Sequence, residues 1–480
     1  MKICIIGGGP IGLFTAIKLG DSLINGTYDI HIYEKRKKYT RNQVVFLRLN
    51  RFWNYPEIKK KLLKYVCFSS IHPSENYQGV CFKRLKTKSN RYLLNEIDEI
   101  EKYEEFVYLR IKHLEQIFFE IVKKNNNVKF IYEECNEEKI KKYDVIFSCE
   151  GKKSFVRNNI LKSNYKQEEC FNSYGLILTF EAKKNNKLEF NYNKMKEMDF
   201  LFHNDNKTIL NGIEKGSIQR SKLKFRQNRI RYFRAKDNYT YLALQLSKEE
   251  YESVKNVKVY NKLSNYFKRI IKNYLNFFDS KPKKKLDKQK LIVLPFNINL
   301  SDKIAEEKNG KLFFVLGDSA HTGSFFSGSN LAWGFDGANI IVNLLTYDLL
   351  GEKTGYYKKY RNGKRKINIK KIIKTKPKII KEILDETNSY IKYIKNQIKQ
   401  DAEATYLPFK IINKIEKKVT KEDLHNSIFV KWYDIFNRVS EDYLEPKKNK
   451  LFKFTKKEFM YYLHPLVIQK FSHVYEYNKE

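Results

Sequence analysis

The opening residues constrain the fold more tightly than any other stretch. The chain begins MKICIIGGGPIGLFTAIKLG and soon continues YDIHIYEKR. KICIIG is short, apolar and rich in β-branched residues, the composition of a strand buried on both faces in a parallel sheet. Gly7, Gly9 and Gly12 follow in the spacing G-x-G-x-x-G, and LFTAIKLGDSL repeats apolar residues at helical intervals. YDIHIYE returns to strand character. A glycine turn between a strand and a helix, inside one such unit, is the context in which this spacing holds a dinucleotide. Gly7 permits the tight turn, Gly9 leaves room for a pyrophosphate against the backbone, and Gly12 lets the helix pack close to the strand. Pro10 and Ile11 open the helix, whose free N–H groups and partial positive charge suit phosphate oxygens. Glu34 closes the second strand, 22 residues after Gly12, where a carboxylate accepts from both ribose hydroxyls, and Lys35 follows it. An acid there disfavours a 2′-phosphate, so the expected cofactor is FAD or NAD.

With 480 residues, 42% of them hydrophobic, the chain has room for two or more domains or one large elaborated one. Lys and Arg number 94 against 55 Asp and Glu, a net charge of +39. Such charge suits nucleic acid or another anionic partner. The basic residues are spread along the whole chain, however, and Lys, Asn, Ile, Tyr and Phe are abundant as in the product of an AT-rich genome. A solvated Lys-rich surface is therefore favoured over nucleic-acid binding. The six cysteines (Cys4, Cys67, Cys81, Cys135, Cys149, Cys170) lack C-x-x-C spacing and several lie in apolar runs. They read as buried reduced thiols, not as disulfides or a zinc site. GGGP interrupts the first apolar stretch and no A-x-A-like site follows, which argues against a signal peptide. No run of eighteen apolar residues occurs, so no membrane span is expected, and the expected location is the cytoplasm.

Two later stretches separate FAD from NAD. KYDVIFSCEGKKSFVR, residues 142–157, is a further buried strand followed by Glu150-Gly151 and then Arg157. KLFFVLGDSAHTGSFFSGSNLAWGFDGANIIVNLL, residues 311–345, reads as a strand ending at Gly317-Asp318, a loop of small residues, and a helix opening near Gly328, Ser329 and Asn330. This order of glycine fingerprint, central acid-glycine pair and later Gly-Asp motif resembles the single-component FAD-dependent monooxygenases of the aromatic-hydroxylase type (group A). EKRKKYTRNQVVFLRL is locally similar to the MICAL family, and GDSAH is similar to kynurenine monooxygenase.

The resemblance implies an α/β fold: a Rossmann-like FAD-binding domain of the glutathione-reductase type over residues 1–170 and 290–350. It also implies an inserted β-sheet substrate domain over 171–289 and a basic helical C-terminal region over 351–480. It implies that Asp318 bonds ribityl or ribose hydroxyls, and that the backbone around Gly328, Ser329 and Asn330 faces the flavin ring. Arg41 and Arg110 match positions that contact FAD, while Gly151 and Gly317 belong to the cofactor-binding motifs. This chain departs from the family in three places. Glu150 stands where Asp is usual, the loop after Gly-Asp lacks a proline, and the G-x-G-x-N element is reduced to Ser327-Gly328-Ser329-Asn330.

The activity so implied is NADPH- or NADH-dependent monooxygenation, with the nicotinamide as transient reductant. Molecular oxygen is used through a flavin hydroperoxide to hydroxylate a small organic substrate, for which an aromatic compound is one candidate class. An alternative from another class is an FAD-binding protein with lost or slow turnover, acting through its basic surface. The chain has one dinucleotide fingerprint, no metal-ligand cluster and no W-x-W-x-I-P signature of flavin halogenases. No residue stands out as the catalytic acid or base. IRYFRAKDNYTYLALQL reads as two strands joined at Lys236, Asp237 and Asn238, and Ser247 to Glu250 as a capping box. Trp333 and Phe326 are candidates for a pocket wall, with core packing the more ordinary role. Ile367, Ile369, Ile372 and Ile373 form an apolar stripe in an otherwise basic helix.

Overall fold

Strand β1 (Lys2–Ile6) buries four of its five residues, as a strand covered on both faces must. It lies inside a six-stranded sheet with β2 (Asp29–Tyr33), β3 (Val128–Ile131), β4 (Val145–Ser148), β5 (Ala305–Lys308) and β6 (Lys311–Val315), in the order β5-β6-β4-β1-β2-β3. All neighbours run parallel except the edge strand β5, which is antiparallel to β6. The computed structural model describes residues 1–23, 28–52, 55–69, 81–84, 103–167, 173–183, 230–235, 237–246, 248–277, 280–323, 330–350 and 367–395.

Register decides what the sheet presents at its carboxyl edge. Ile6 pairs with Tyr33 and with Ser148, and Val315 also pairs with Ser148. The chain therefore leaves β1, β2, β4 and β6 at one level. Gly7, Glu34, Glu150-Gly151 and Gly317-Asp318 emerge side by side, where open α/β sheets bind ligands.

Helix α1 (Pro10–Ser22) packs against α2 (Ile111–Val122) and α3 (Asn330–Asn343). Phe14, Phe52, Phe118 and Phe335, one from each surrounding segment, meet with ring centroids 4.8–6.0 Å apart. Edge-on and tilted aromatic pairs of this kind add about 0.5–1.5 kcal/mol each beyond their buried area. The Ile stripe behaves as its spacing implies: Ile367, Ile369 and Ile372 are buried in the same core, with Ile373 packed against it. Residues 377–395 are helical and reach further. Asn388 accepts from the N–H of Ile304 and Ala305 at 2.9 and 3.0 Å and donates to the Ala305 carbonyl at 3.0 Å. The Tyr390 hydroxyl donates to the Trp333 carbonyl at 2.7 Å, and its ring lies where a Cβ on Gly337 would come within 2.9 Å.

The chain divides into two compact units, residues 1–173, 231–242 and 294–399 in the first and 174–230, 243–293 and 400–480 in the second. In the first, strand Tyr103–Arg110 is the centre of an antiparallel sheet with Val44–Arg48 and Cys81–Arg84. The turn expected around Asp237 is present: Ala235 donates to Tyr239 at 2.9 Å and Asn238 takes φ 64°. Lys236 lies outside the described residues. In the second unit, Lys283 donates its N–H to the Glu181 carbonyl, and Tyr174 stacks on Tyr251 at 4.5 Å. Helix Asn265–Phe277 there buries Phe267, Ile271, Tyr274 and Leu275. Helix Lys248–Val254 begins where the capping box places it, although Ser247 lies outside the described residues.

Cys4, Cys67 and Cys135 are buried free thiols, and Cys149 is a half-buried one. The side chain of Cys81 and all of Cys170 lie outside the described residues.

Candidate nucleotide-binding site

The three glycines differ in why they are needed. A Cβ on Gly7 would sit 2.3 Å from the Cys149 carbonyl oxygen, and its φ is +102°. A Cβ on Gly12 would sit 2.0 Å from the Gly7 carbonyl oxygen. Both positions are dictated by the fold itself. Gly9 is not: its φ is −76°, and the nearest atom to an added Cβ is Arg41 Nη2 at 3.5 Å. The α1 N-terminus has no side-chain cap and no acid in its first turn, so its first-turn N–H groups face outward beside Gly9. Pro10 is buried at the first helical position, and Ile11 packs against Gly317 and Gly334, which ties the start of α1 to the Gly-Asp turn and to α3.

Glu34 is 5% exposed and sits where the spacing places it. Its Oε2 accepts from the Gly8 N–H at 3.0 Å and from Arg36 Nη2 at 2.8 Å. Its Oε1 accepts from the Arg36 N–H at 2.9 Å and from Arg36 Nε at 3.0 Å. Burial alone would raise this carboxyl, but the Arg36 fork outweighs it and holds the pKa below the usual range. Arg36 also reaches Glu115 Oε1 at 3.4 Å. Glu115 projects from α2 with no exposure and forms an ion pair with Arg41. Lys35, in contrast, is exposed. The reading of residue types alone did not include Arg36 or Glu115. A signal for Glu115 existed, since it shares a helix face with the buried Leu114 and Phe118.

The later motifs are bonded to each other. Gly151, at φ +84°, donates its N–H to Ser319 Oγ at 2.9 Å, and Ser319 Oγ donates back to the Gly151 carbonyl at 3.1 Å. Arg157, 2% exposed, donates to the carbonyls of Ser319 at 2.7 Å and Lys152 at 2.6 Å. Its guanidinium lies 3.8 Å from the Tyr165 ring centroid, and the Tyr165 hydroxyl donates to the Asp318 carbonyl at 2.8 Å. Glu150 has its own task. Its carboxylate accepts from Ser148 Oγ at 2.8 Å, Ser154 Oγ at 3.0 Å and the N–H groups of Phe155 and Val156 at 3.1 and 3.3 Å. The extra methylene relative to Asp is thus used to close a loop and cap the short helix that follows.

Asp318 is reached by solvent, yet it is crowded enough that desolvation raises its carboxyl above the usual range, opposed by Asn330, Lys152 and Arg41. Asn330 Nδ2 donates to Asp318 Oδ1, so Asn330 Oδ1 is left to accept from His321 Nδ1 at 2.9 Å, which assigns the proton of that imidazole to Nδ1. His321 is 1% exposed, and burial lowers its pKa to about 4, so it is neutral. Trp333 is buried against His321, ring to ring at 6.2 Å. Gly328, Ser329 and Phe326 lie outside the described residues. Arg110 stands at the residue before α2 without a side-chain capping bond and pairs with Asp237, with its guanidinium 4.9 Å from the Tyr239 ring centroid.

No family model matches the chain, and no curated protein matches it. Among solved structures it is similar to CmlS, a flavin-dependent halogenase, with a TM-score of 0.54 and 11% identity over 98% of this chain and 77% of that one. It is also similar to PqsL from Pseudomonas aeruginosa, a probable FAD-dependent monooxygenase, with a TM-score of 0.45 and 11% identity over 85% and 99% of the two chains. The likeness to CmlS shows a shared mixed α/β fold built on a parallel sheet. Among the described residues no helix is long and apolar enough to cross a membrane.

Proposed function

We propose that this chain is an FAD-dependent monooxygenase that takes electrons from NADPH or NADH and hydroxylates a small organic, aromatic substrate with molecular oxygen. Residues 1–170 and 290–350 form its cofactor domain, 171–289 its substrate domain, and 351–480 a helical extension. The observation that carries this reading is Gly9: the chain itself makes no demand for glycine there, and the site beside it is an uncapped helix N-terminus with a nearby guanidinium. A diphosphate fits that arrangement in charge and in space. Bound FAD supplies hydride acceptance and oxygen activation.

The residues of the chain bind and orient. The α1 N-terminus and Arg41 hold the diphosphate, Glu34 takes the ribose hydroxyls, and Asp318 takes the ribityl chain. Asn330, fixed by the neutral His321, keeps one Asp318 oxygen engaged and turned. Arg157 and Tyr165 hold the Gly-Asp turn at its depth against Gly151.

The test is an absorbance spectrum of the purified protein, with and without NADPH, beside a Gly9→Val variant. The wild type is expected to be yellow. The variant is expected to be colourless while melting close to the temperature of the flavin-free wild type, because an added Cβ at Gly9 meets no protein atom closer than 3.5 Å. A yellow Gly9→Val protein would overturn the placement. A yellow wild type inert to both nicotinamides, across a panel of aromatic compounds, would favour an FAD-binding protein without turnover.

A further inference from the structure

The Glu34 carboxylate is the expected seat of the adenosine ribose, and it is fully engaged. Two donors converge on each oxygen, which uses all four lone-pair positions. On each oxygen one donor is backbone, Gly8 N–H on Oε2 and Arg36 N–H on Oε1, and the other belongs to the Arg36 guanidinium. The backbone pair alone would fix the carboxylate and leave one acceptor position on each oxygen. That is the pattern a vicinal diol needs. The guanidinium is 3.4 Å from Glu115 Oε1, so a second carboxylate, itself fully buried, already stands within its reach.

We infer that Arg36 and the ribose diol compete for Glu34, and that Glu115 is the second seat to which the guanidinium transfers when the nucleotide binds. Arg36 is then a residue that sets nucleotide affinity by occupying the seat, not by contacting the cofactor. This inference rests on the reading of the site as an FAD site. Arg36 gains little by leaving, since it exchanges a fork for a longer contact, so the bound form carries that cost in its dissociation constant.

The experiment is titration of flavin-free protein with FAD, followed by flavin fluorescence, with the melting temperature of each flavin-free protein measured alongside. Arg36→Met removes the guanidinium and keeps both backbone donors. It is expected to lower the dissociation constant roughly 10-fold. The same change is expected to lower the melting temperature, because a buried carboxylate loses its charge partner. Affinity and stability thus move in opposite directions, which a merely structural role for Arg36 would not produce. Arg36→Lys, which keeps the charge and loses the fork, serves if the Met variant does not fold, and is expected to bind more tightly than wild type by a smaller factor. Weaker binding by the variant, or a dissociation constant within twofold of wild type, would overturn the competition while leaving the FAD reading intact. A wild type that does not bind FAD would overturn that reading instead.

Discussion

Glu34 and Asp318 both stand at the carboxyl ends of parallel strands, yet one is gripped by a guanidinium and the other by a neutral amide. Around Glu34 the partners are Arg36, Glu115 and Arg41, alternating in sign, with both carboxylates buried and the cations partly exposed. Asp318 is bonded by Asn330, which a neutral His321 fixes in turn, and the cations Lys152 and Arg41 act on it only through space. Charge at the first end can be exchanged for another polar ligand, because Glu115 offers Arg36 a second partner. Amide and imidazole bonds at the second end are directional and fix geometry. The first end is suited to capture and the second to alignment.

Gly12 belongs to neither end and supports both. Gly12→Ala would place a methyl 2.0 Å from the Gly7 carbonyl, and the loss should exceed about 4 kcal/mol in thermal or denaturant unfolding. If the variant melts like wild type, the two ends do not share this turn. Next in size is Arg157→Ala, which leaves two buried carbonyls without their charged donor and uncovers the Tyr165 ring. Unfolding stability should fall by about 3–4 kcal/mol, and FAD affinity with it. A stable variant with normal affinity would show that alignment does not depend on this clamp.

The third prediction uses pH to isolate the Asp318 end. His321 titrates at about 4 in the folded chain against 6.5 when free. Its folded pKa is lowered, so the unfolded chain binds the proton first. Its stabilising contribution is complete above pH 6.5 and is lost as pH falls toward 4, about 3 kcal/mol in all. His321→Gln should flatten that part of the stability curve measured by chemical unfolding. His113 is also lowered to about 4 by burial and by Arg110, and His31 is lowered by burial, so both leave slope in the same range.

Arg41→Gln probes the charged end. Loss of one cation from the diphosphate should weaken FAD binding about 10-fold and make it less sensitive to salt, with little change in the optical spectrum of the bound flavin. A larger loss, or a shifted spectrum, would mean that Arg41 aligns the ring as well. Smallest is Lys303→Gln, which breaks a partly exposed pair with Glu306. Its expected effect is below about 0.5 kcal/mol by thermal melting.

What the sequence made legible follows from range. Gly7, Gly9, Gly12 and Glu34 act within one strand-turn-helix-strand unit, where spacing alone fixes geometry. The hairpin at Asp237 and the Ile stripe at 367–373 are local in the same sense. The partners of those residues are not. Arg36 meets Glu115 across 79 residues and Gly151 meets Ser319 across 168, and each pairing exists only once the sheet has aligned its strand ends. Glu150 shows the same limit. As a departure from Asp it reads as a defect, and only its four donors reveal a loop closure. Arg41 and Arg110, alike in a chain with 94 Lys and Arg, are separated by their partners, one beside Gly9 and the other on the Asp237 turn.

The hydroxyl of Tyr390 on the Trp333 carbonyl has a practical result for anyone shortening this protein. A version ending at residue 366 would keep the glycine turn, Glu34, the Glu150-Gly151 pair and the Gly-Asp turn. It would still strip Asn388 from the β5 edge, take Ile367, Ile369 and Ile372 out of the core, and release the helix that carries Asn330 and Trp333. Such a truncate should lose its grip on Asp318 before it loses the phosphate turn, and would make a poor starting point for engineering.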